Sequence, residues 1–124
     1  MSDRYVLDTN IALYLLSGRL VNPLPIGVFY LSIISEIELL SFSSIVQEEE
    51  SRIREFLAQV TIVGLSEDVK KSTIEIRRKY RLKLPDAIVC ATAIVVDSNL
   101  LSNDVQLGKV TELTLSSVQI QSKP

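Results

Sequence analysis

Five short apolar runs along the chain predict β-strands, and longer segments with helical repeats separate them. The predicted strands cover residues 5–7, 28–31, 61–65, 100–101 and 113–120. Strands that alternate with helices indicate an α/β fold, with a mainly parallel central sheet flanked by helices. The chain shows no internal repeat and no interdomain linker, so we expect one domain over residues 1–124. Its core should span about residues 4–120, followed by a short loose tail.

Serine, threonine and asparagine residues mark the starts of the first two helices. Thr9 or Asn10 can cap the helix after the first strand. The second helix begins at Ser32 or Ser35, and Ser35 followed by Glu38 fits a capping box. We therefore expect Glu38 to lie near the start of that helix.

Three further helices are predicted in the second half of the chain. One covers residues 43–60, and the next begins after Ser66, which can cap it. The last starts at Pro85 and runs to about Asp97. Because this last helix is apolar almost all round, it should be central and buried. The single cysteine, Cys90, lies on it and should be a packed thiol.

The amino-acid composition excludes several classes of catalyst. The chain has no histidine and one cysteine, so it has no Ser-His or Cys-His nucleophile, no histidine metal ligand and no internal disulfide. Hydrolytic or phosphoryl chemistry must therefore depend on carboxylates, with a hard cation held by oxygen ligands. The formal net charge of −2 argues against a strong, nonspecific nucleic-acid coat.

No segment of the sequence predicts export or membrane insertion. The first apolar run is interrupted by Asp8 and Asn10, unlike the apolar core of a secretory signal. No apolar stretch reaches the roughly 18 residues of a membrane span. We therefore expect a cytoplasmic protein with no membrane association.

Four acidic residues follow predicted strands or begin predicted helices. Such positions can converge at the carboxyl edge of a parallel sheet, where ligands bind. Clustered carboxylates repel one another, and Mg²⁺ would relieve this repulsion. Each acid alone could equally be a turn or capping residue. The four together form the candidate site: Asp8, Glu38, Asp86 and Asp104.

Positive charge is concentrated between residues 70 and 83, which hold seven of the 13 lysines and arginines. This segment is either a solvated helix face or a strip that contacts phosphates. Arg77 and Arg81 lie one helical turn apart, and Lys83 precedes Asp86 by three residues. We expect these three basic residues to be the best placed to contact a phosphate backbone.

Four segments, in order, resemble the motifs of the PIN-domain family, of the type found in VapC toxin ribonucleases. The first is Tyr-Val-Leu-Asp-Thr-Asn-Ile at residues 5–11, and the second ends in Glu-Leu at 38–39. The strongest is Leu-Pro-Asp-Ala-Ile-Val-Cys-Ala-Thr-Ala at 84–93. The last is Leu-Leu-Ser-Asn-Asp at 100–104. The resemblance spans about residues 4–120.

This resemblance implies a three-layer PIN-like domain and a metal-dependent endoribonuclease activity. A metal-activated water would attack the RNA phosphodiester and leave a 5′-phosphate and a 3′-hydroxyl. Family members are commonly homodimers, and an antitoxin protein often silences them. The implied ligands of Mg²⁺ or Mn²⁺ are Asp8, Glu38, Asp86 and Asp104, with Asn10 and Ser102 orienting ligands or water.

Two questions stay open at the level of sequence. Glu36 is an alternative second acid, although it and Glu38 would point about 200° apart on a helix and cannot face one ion. We prefer Glu38 because Ser35 precedes it by three residues and Leu39 follows it. The alternative functions are a noncatalytic PIN-like binding module and, less favoured, a phosphoryl-accepting receiver-like domain.

Overall fold

A five-stranded, fully parallel sheet forms the centre of the computed structural model, which describes residues 3–41 and 44–121. The strand order is β3-β2-β1-β4-β5. This arrangement confirms the predicted α/β fold class. The strands are β1 (Arg4–Leu7), β2 (Val28–Ser32), β3 (Thr61–Val63), β4 (Asn99–Leu101) and β5 (Thr114–Ser116).

In the described part of the chain, five α-helices flank this sheet in two groups. The first three pack with one core cluster and the last two with the other. A short 3-10 helix, Val105–Lys109, follows β4. The helices are α1 (Thr9–Leu16), α2 (Ile33–Leu40), α3 (Gln47–Leu57), α4 (Glu67–Tyr80) and α5 (Leu84–Val95).

Consecutive strand residues supply the two cores because side chains of a strand point alternately to opposite faces. Val6 and Leu100 pack with α4 and α5, whereas their neighbours Leu7 and Leu101 pack with the first three helices. The α5 helix is buried from Ala87 through Ala93, as its apolar sequence predicts. In the described ranges, no helix combines the length and apolarity needed to cross a membrane.

The start of α1 differs from the prediction, whereas α2 begins after Ser32, one of the two predicted positions. Asp8, and not Thr9 or Asn10, caps α1, because its carboxylate accepts a hydrogen bond from the Thr9 N–H. Ser32 caps α2 by accepting from the Ile34 N–H. The capping box of Ser35 and Glu38 is therefore wrong, since Ser35 lies inside the helix and is buried.

Other predicted elements are shorter in the structure. The helix expected over 43–60 covers Gln47–Leu57, and position 43 lies outside the described residues. It begins late because Val46 is extended and its N–H donates to the Glu49 carboxylate at 3.2 Å. The α5 helix ends at Val95, before Asp97, whose φ of 51° is left-handed.

The predicted last strand, over residues 113–120, is divided into two parts. Only Thr114–Ser116 joins the sheet. Beyond it, Ile120 forms an antiparallel bridge with Leu20, in the segment that follows α1. The Gln121 N–H also donates to the Arg19 carbonyl at 2.7 Å. The end of the described chain is thus attached to the segment after α1, a contact with no local sequence signal.

Candidate active site

The sheet brings the ends of β1 and β4 together at the point where the strand order reverses. Strand β1 lies between β2 and β4, and Leu7 pairs with Leu101. The Asp8 N–H donates to the Leu101 carbonyl at 3.0 Å, so the residues after both strands are neighbours. In open parallel sheets, this switch point at the carboxyl ends of the strands is the usual place for a ligand.

A cavity of about 650 Å³ opens at this switch point. Its walls include one acid from each of four separate parts of the chain. These acids follow β1, lie on α2, stand in the first turn of α5 and follow β4. They are Asp8, Glu38, Asp86 and Asp104, so the structure brings all four predicted acids to one cavity.

Ser102 connects two of these acids through its hydroxyl group. Its Oγ donates to Asp8 Oδ2 at 2.6 Å and accepts from the Asp104 N–H at 3.1 Å. Asp8 Oδ1 accepts in turn from the Thr9 N–H at 2.9 Å. Because Ser102 is buried, these contacts fix the orientation of the Asp8 carboxylate.

Thr9 holds the acid on α2 in a similar way, a role that the sequence analysis missed. Its hydroxyl donates to Glu38 Oε1 at 2.6 Å and lies 2.8 Å from the buried Ser35 hydroxyl. A hydroxyl has one proton, so Ser35 supplies the proton shared with Thr9. The available signal was a hydroxyl residue directly after the first acid, but it also fitted a helix cap.

Burial and mutual repulsion raise the pKa of two carboxyl groups in the cavity. Burial is the largest cause for Asp8, and the negative charges of Asp104 and Glu38 add to it. Hydrogen bonds from Ser102 and Thr9 oppose this rise in the pKa of Asp8.

Asp86 shows the same pattern. Burial raises the pKa of Asp86 most, followed by the charges of Asp8 and Asp104, while Lys83 lowers it. These directions show an electrostatic conflict that a cation would relieve.

Cys90 lies close to the acids but takes no part in the cavity wall. It is buried in the core, as expected. Burial, together with the charges of Asp8, Asp86 and Asp104, raises the pKa of the Cys90 thiol to about 12. The neutral thiol is a poor nucleophile, so the chemistry of the site depends on its oxygen atoms.

The remaining predicted residues occupy different positions around the cavity. Asn10 is exposed and lines it, whereas Glu36 is not part of its lining. Since Glu36 and Glu38 project from different sides of α2, the structure favours Glu38 as the acid of this cavity.

The three basic residues predicted to contact the backbone of RNA lie outside the cavity lining, in the last turn of α4 and the segment between α4 and α5. The Arg77 side chain is hydrogen-bonded to the segment between α4 and α5, since its Nε donates to the Leu82 carbonyl at 3.2 Å. Arg81 is exposed and adopts a left-handed conformation with φ of 58°. Lys83 precedes α5 and is near enough to lower the pKa of Asp86.

The donor set of the cavity fits a hard divalent cation. Among residues 3–41 and 44–121, no three acidic or cysteine side chains already form a group that could hold a metal ion. Mg²⁺, however, keeps several waters and commonly takes only one or two carboxylates directly. Carboxylates that raise one another's pKa around an open cavity are suited to such a partly hydrated ion.

Comparisons with known proteins identify the family and the fold of the chain. The sequence profile of the PIN domain family matches residues 5–113. No curated protein gives a significant sequence match.

Several solved structures share the fold. VapBC-1 from nontypeable Haemophilus influenzae has a TM-score of 0.76 and 20% identity, covering 92% of this chain and 97% of that one. VapBC2 from Rickettsia felis, bound to a DNA fragment from its promoter, has a TM-score of 0.74 and 17% identity. The match covers 94% of this chain and 99% of that one. A toxin–antitoxin complex from Klebsiella pneumoniae has a TM-score of 0.74 and 28% identity, covering 88% and 94%.

The profile match extends over most of the chain and includes all four acidic positions. The similar structures contain the same arrangement of a parallel sheet and flanking helices. The chain therefore belongs to the PIN domain family.

Proposed function

We propose that this protein is a metal-dependent endoribonuclease that acts as the toxin of a type II toxin–antitoxin pair. The observation that carries the proposal is the convergence of four carboxylates, from four separate parts of the chain, on one cavity at the switch point. Membership of the PIN domain family and the likeness to VapBC proteins support it.

The four acids would hold Mg²⁺ or Mn²⁺, one or two of them directly through carboxylate oxygens and the others through waters on the ion. A cation bound there would supply charge for the phosphoryl oxygens and lower the pKa of a coordinated water. Ser102 keeps the Asp8 carboxylate in position, and Thr9 does the same for Glu38. Asn10 borders the same space and can donate a hydrogen bond to the substrate or to water.

The RNA backbone would follow the basic turn beside the acids. Arg81 and Lys83 are exposed and flank the first turn of α5, which carries Asp86. Their charges favour the phosphates that the carboxylates repel. Arg77 contributes mainly by holding the turn, through its hydrogen bond to the Leu82 carbonyl.

The proposed partners are RNA, a second copy of the chain and a cognate antitoxin protein. The similar structures include VapBC assemblies and a toxin–antitoxin complex. A small upstream reading frame for a DNA-binding protein would agree with an antitoxin partner.

RNA cleavage with and without a divalent metal tests the proposed activity. The purified protein, free of antitoxin, should cleave members of a broad RNA panel in Mg²⁺ or Mn²⁺ and not in excess chelator. Asp86→Asn and Glu38→Gln should each lower the cleavage rate at least about 100-fold, because each replaces a negatively charged carboxylate beside the cation with a neutral amide. Mapping should find 5′-phosphate and 3′-hydroxyl ends.

Glu36→Gln is the matched control, since Glu36 lies on the same helix but outside the cavity lining. It should cleave like the unaltered protein. Equal cleavage by Glu38→Gln and Glu36→Gln would contradict the assignment of Glu38. An intact RNA panel in Mn²⁺ would contradict the nuclease, and RNA binding without cleavage would indicate the noncatalytic binding module.

A further inference from the structure

We propose that Tyr14 is a positioning residue that stacks on one unpaired base of the RNA beside the scissile phosphate. This inference rests on the proposed ribonuclease function and adds a requirement for single-stranded substrate at the site. Tyr14 is on α1, is half-buried, and lines the same cavity as the four acids. Its ring is the aromatic surface that the described residues offer to that cavity.

The position of Tyr14 along α1 suits a neighbouring nucleotide and not the reacting phosphate. Asn10 and Tyr14 are four residues apart, so they lie on the same face of the helix, and both line the cavity. Tyr14 follows Asp8 by six residues, which is about 9 Å along the helix axis. A base next to the cleaved bond could therefore reach the ring while the phosphate remains near the acids.

The chemistry of the cavity also favours a base at this place. Four carboxylates repel the RNA backbone unless a cation screens them, so further affinity within the cavity itself would come from its neutral surfaces. Leu13 and Val89 also line the wall and offer aliphatic surface, whereas Tyr14 offers an aromatic face. Bases in single strands stack on such faces, but bases inside a duplex already have both faces covered.

The ring is held in place before any RNA arrives. The guanidinium carbon of Arg19 lies over it, 5.0 Å from the ring centre. Arg19 Nε and Nη2 in turn donate to the Gln121 carbonyl at 3.3 and 3.2 Å. Arg19 does not line the cavity, so it supports the ring from outside. A fixed ring loses little conformational freedom when a base binds, which favours affinity.

A purely structural role for Tyr14 makes a different prediction, because its ring also packs with the apolar side chains of the first three helices. Loss of that packing would weaken every RNA equally. Loss of a stacked base would instead depend on the presence of one base in the substrate. The deciding measurement must therefore vary the RNA and the protein together.

The test measures binding of short single-stranded RNAs by fluorescence anisotropy, with Asp86→Asn as the background that prevents cleavage. A set of RNAs carries one abasic nucleotide, at a different position in each. Binding of each RNA is measured for the protein that keeps Tyr14 and for the variants Tyr14→Phe, Tyr14→Leu and Tyr14→Ala. At one position, the abasic change should weaken binding to the Tyr14 protein roughly 5- to 150-fold. Tyr14→Phe should behave similarly, because it keeps the aromatic face.

Tyr14→Leu and Tyr14→Ala should bind intact RNA more weakly and show no further loss at the abasic position. Tyr14→Leu keeps an apolar side chain, so it decides the question if Tyr14→Ala does not fold. The proposal is overturned if every variant loses the same factor at every abasic position, or if Tyr14→Leu binds like Tyr14. It is also overturned if these variants bind a protein inhibitor more weakly but bind RNA with unchanged affinity.

Cleavage of the same RNAs by the protein with Asp86 intact separates this inference from the proposed function. Cleavage that is unaffected by Tyr14→Leu would contradict only the stacking role. Absence of any cleavage by the unaltered protein would contradict the ribonuclease itself.

Discussion

At the scale of single residues, one buried hydroxyl contacts two of the acids of the cavity. Ser102 Oγ donates to Asp8 Oδ2 and accepts from the Asp104 backbone N–H. Its hydrogen bond also lowers the pKa of Asp8, against the rise that burial causes. Ser102 therefore affects the site through the position and ionisation of its neighbours.

Replacing Ser102 by alanine should lower both RNA cleavage and stability. Cleavage should fall about 10- to 100-fold, as is common when a residue that orients a metal ligand is removed. The free energy of unfolding should fall by about 1–2 kcal/mol, because a buried hydrogen bond to a carboxylate is lost. Rates from initial cleavage and stability from urea unfolding provide the two measurements.

Ser98→Ala is the matched control for this change. Ser98 is also buried, and its hydroxyl donates to the Val96 carbonyl at 3.3 Å, away from the cavity lining. It should lose some stability but keep its cleavage rate. Equal losses of cleavage in the two variants would show that Ser102 acts only through stability.

At the scale of elements, the turn between α4 and α5 contains both a strained backbone conformation and exposed basic side chains. Arg81 occupies a left-handed conformation after α4, with φ of 58°. This conformation favours glycine over a residue with a side chain. Arg81 is nevertheless the residue at this position, and it is exposed near Lys83, where the RNA backbone would pass in the proposed complex.

Arg81→Gly should therefore stabilise the protein while it weakens RNA binding. We expect about 0.5–1 kcal/mol of added stability, from relief of the left-handed strain. The slope of log affinity against log salt should fall by about 0.7, the effect of one lost phosphate contact on a single strand. Urea unfolding and a salt titration of RNA binding measure the two effects.

Asp97→Gly provides the comparison, because Asp97 is also left-handed and exposed, after α5. It should gain stability without any change in the salt dependence of RNA binding. An unchanged salt slope in Arg81→Gly would remove Arg81 from the proposed RNA contacts.

Helical repeats made the elements predictable, whereas side-chain hydrogen bonds decided where some of them begin. The buried residues Val69, Thr73 and Ile76 of α4 recur at the three- and four-residue spacing of one helix face. The late start of α3 depends on the Glu49 side chain and the Val46 N–H, and the apolar repeat carries no information about this contact. The predicted capping role of Ser35 failed for a related reason. A serine that packs inside a helix near Thr9 cannot be distinguished from a capping serine by sequence alone.

At the scale of the whole molecule, the parallel sheet explains why the acids could be named from sequence. Asp8 and Asp104 follow predicted strands, and the carboxyl ends of such strands meet at one edge. The contact of Thr9 with Glu38 depends instead on how α1 packs against α2. The cavity position of Tyr14 likewise became visible only in three dimensions.

The close approach of the four carboxylates should lower the stability of the folded protein when no cation is bound. The pKa of Asp86 is raised above 3.8 in the folded protein, so its ionised form disfavours folding near neutral pH. In chelator, the free energy of unfolding of Asp86→Asn should be about 0.5 kcal/mol higher than that of the unaltered protein. The gain is modest because Asp86 is partly exposed. This advantage should shrink as the pH falls toward 3.8, where the unfolded-state carboxyl also protonates.

Mg²⁺ should reduce the same difference by stabilising the unaltered protein more than the variant. Thermal unfolding at several pH values, with chelator or with Mg²⁺, measures both effects. Asp97→Asn is the control, since asparagine also tolerates the left-handed conformation at this exposed position. A response of Asp97→Asn equal to that of Asp86→Asn would show that the effect reflects net charge alone.

The contact between Ser102 and Asp8 has a consequence for the synthesis of the protein in the cell. These residues are 94 positions apart, and Asp104 follows two residues later. At translation rates of 5–20 residues per second, Asp104 is added roughly 5–20 s after Asp8. A nascent chain that has not yet reached Asp104 lacks one wall of the cavity. The RNA of the ribosome that makes the protein therefore meets a complete site only after most of the chain has been synthesised.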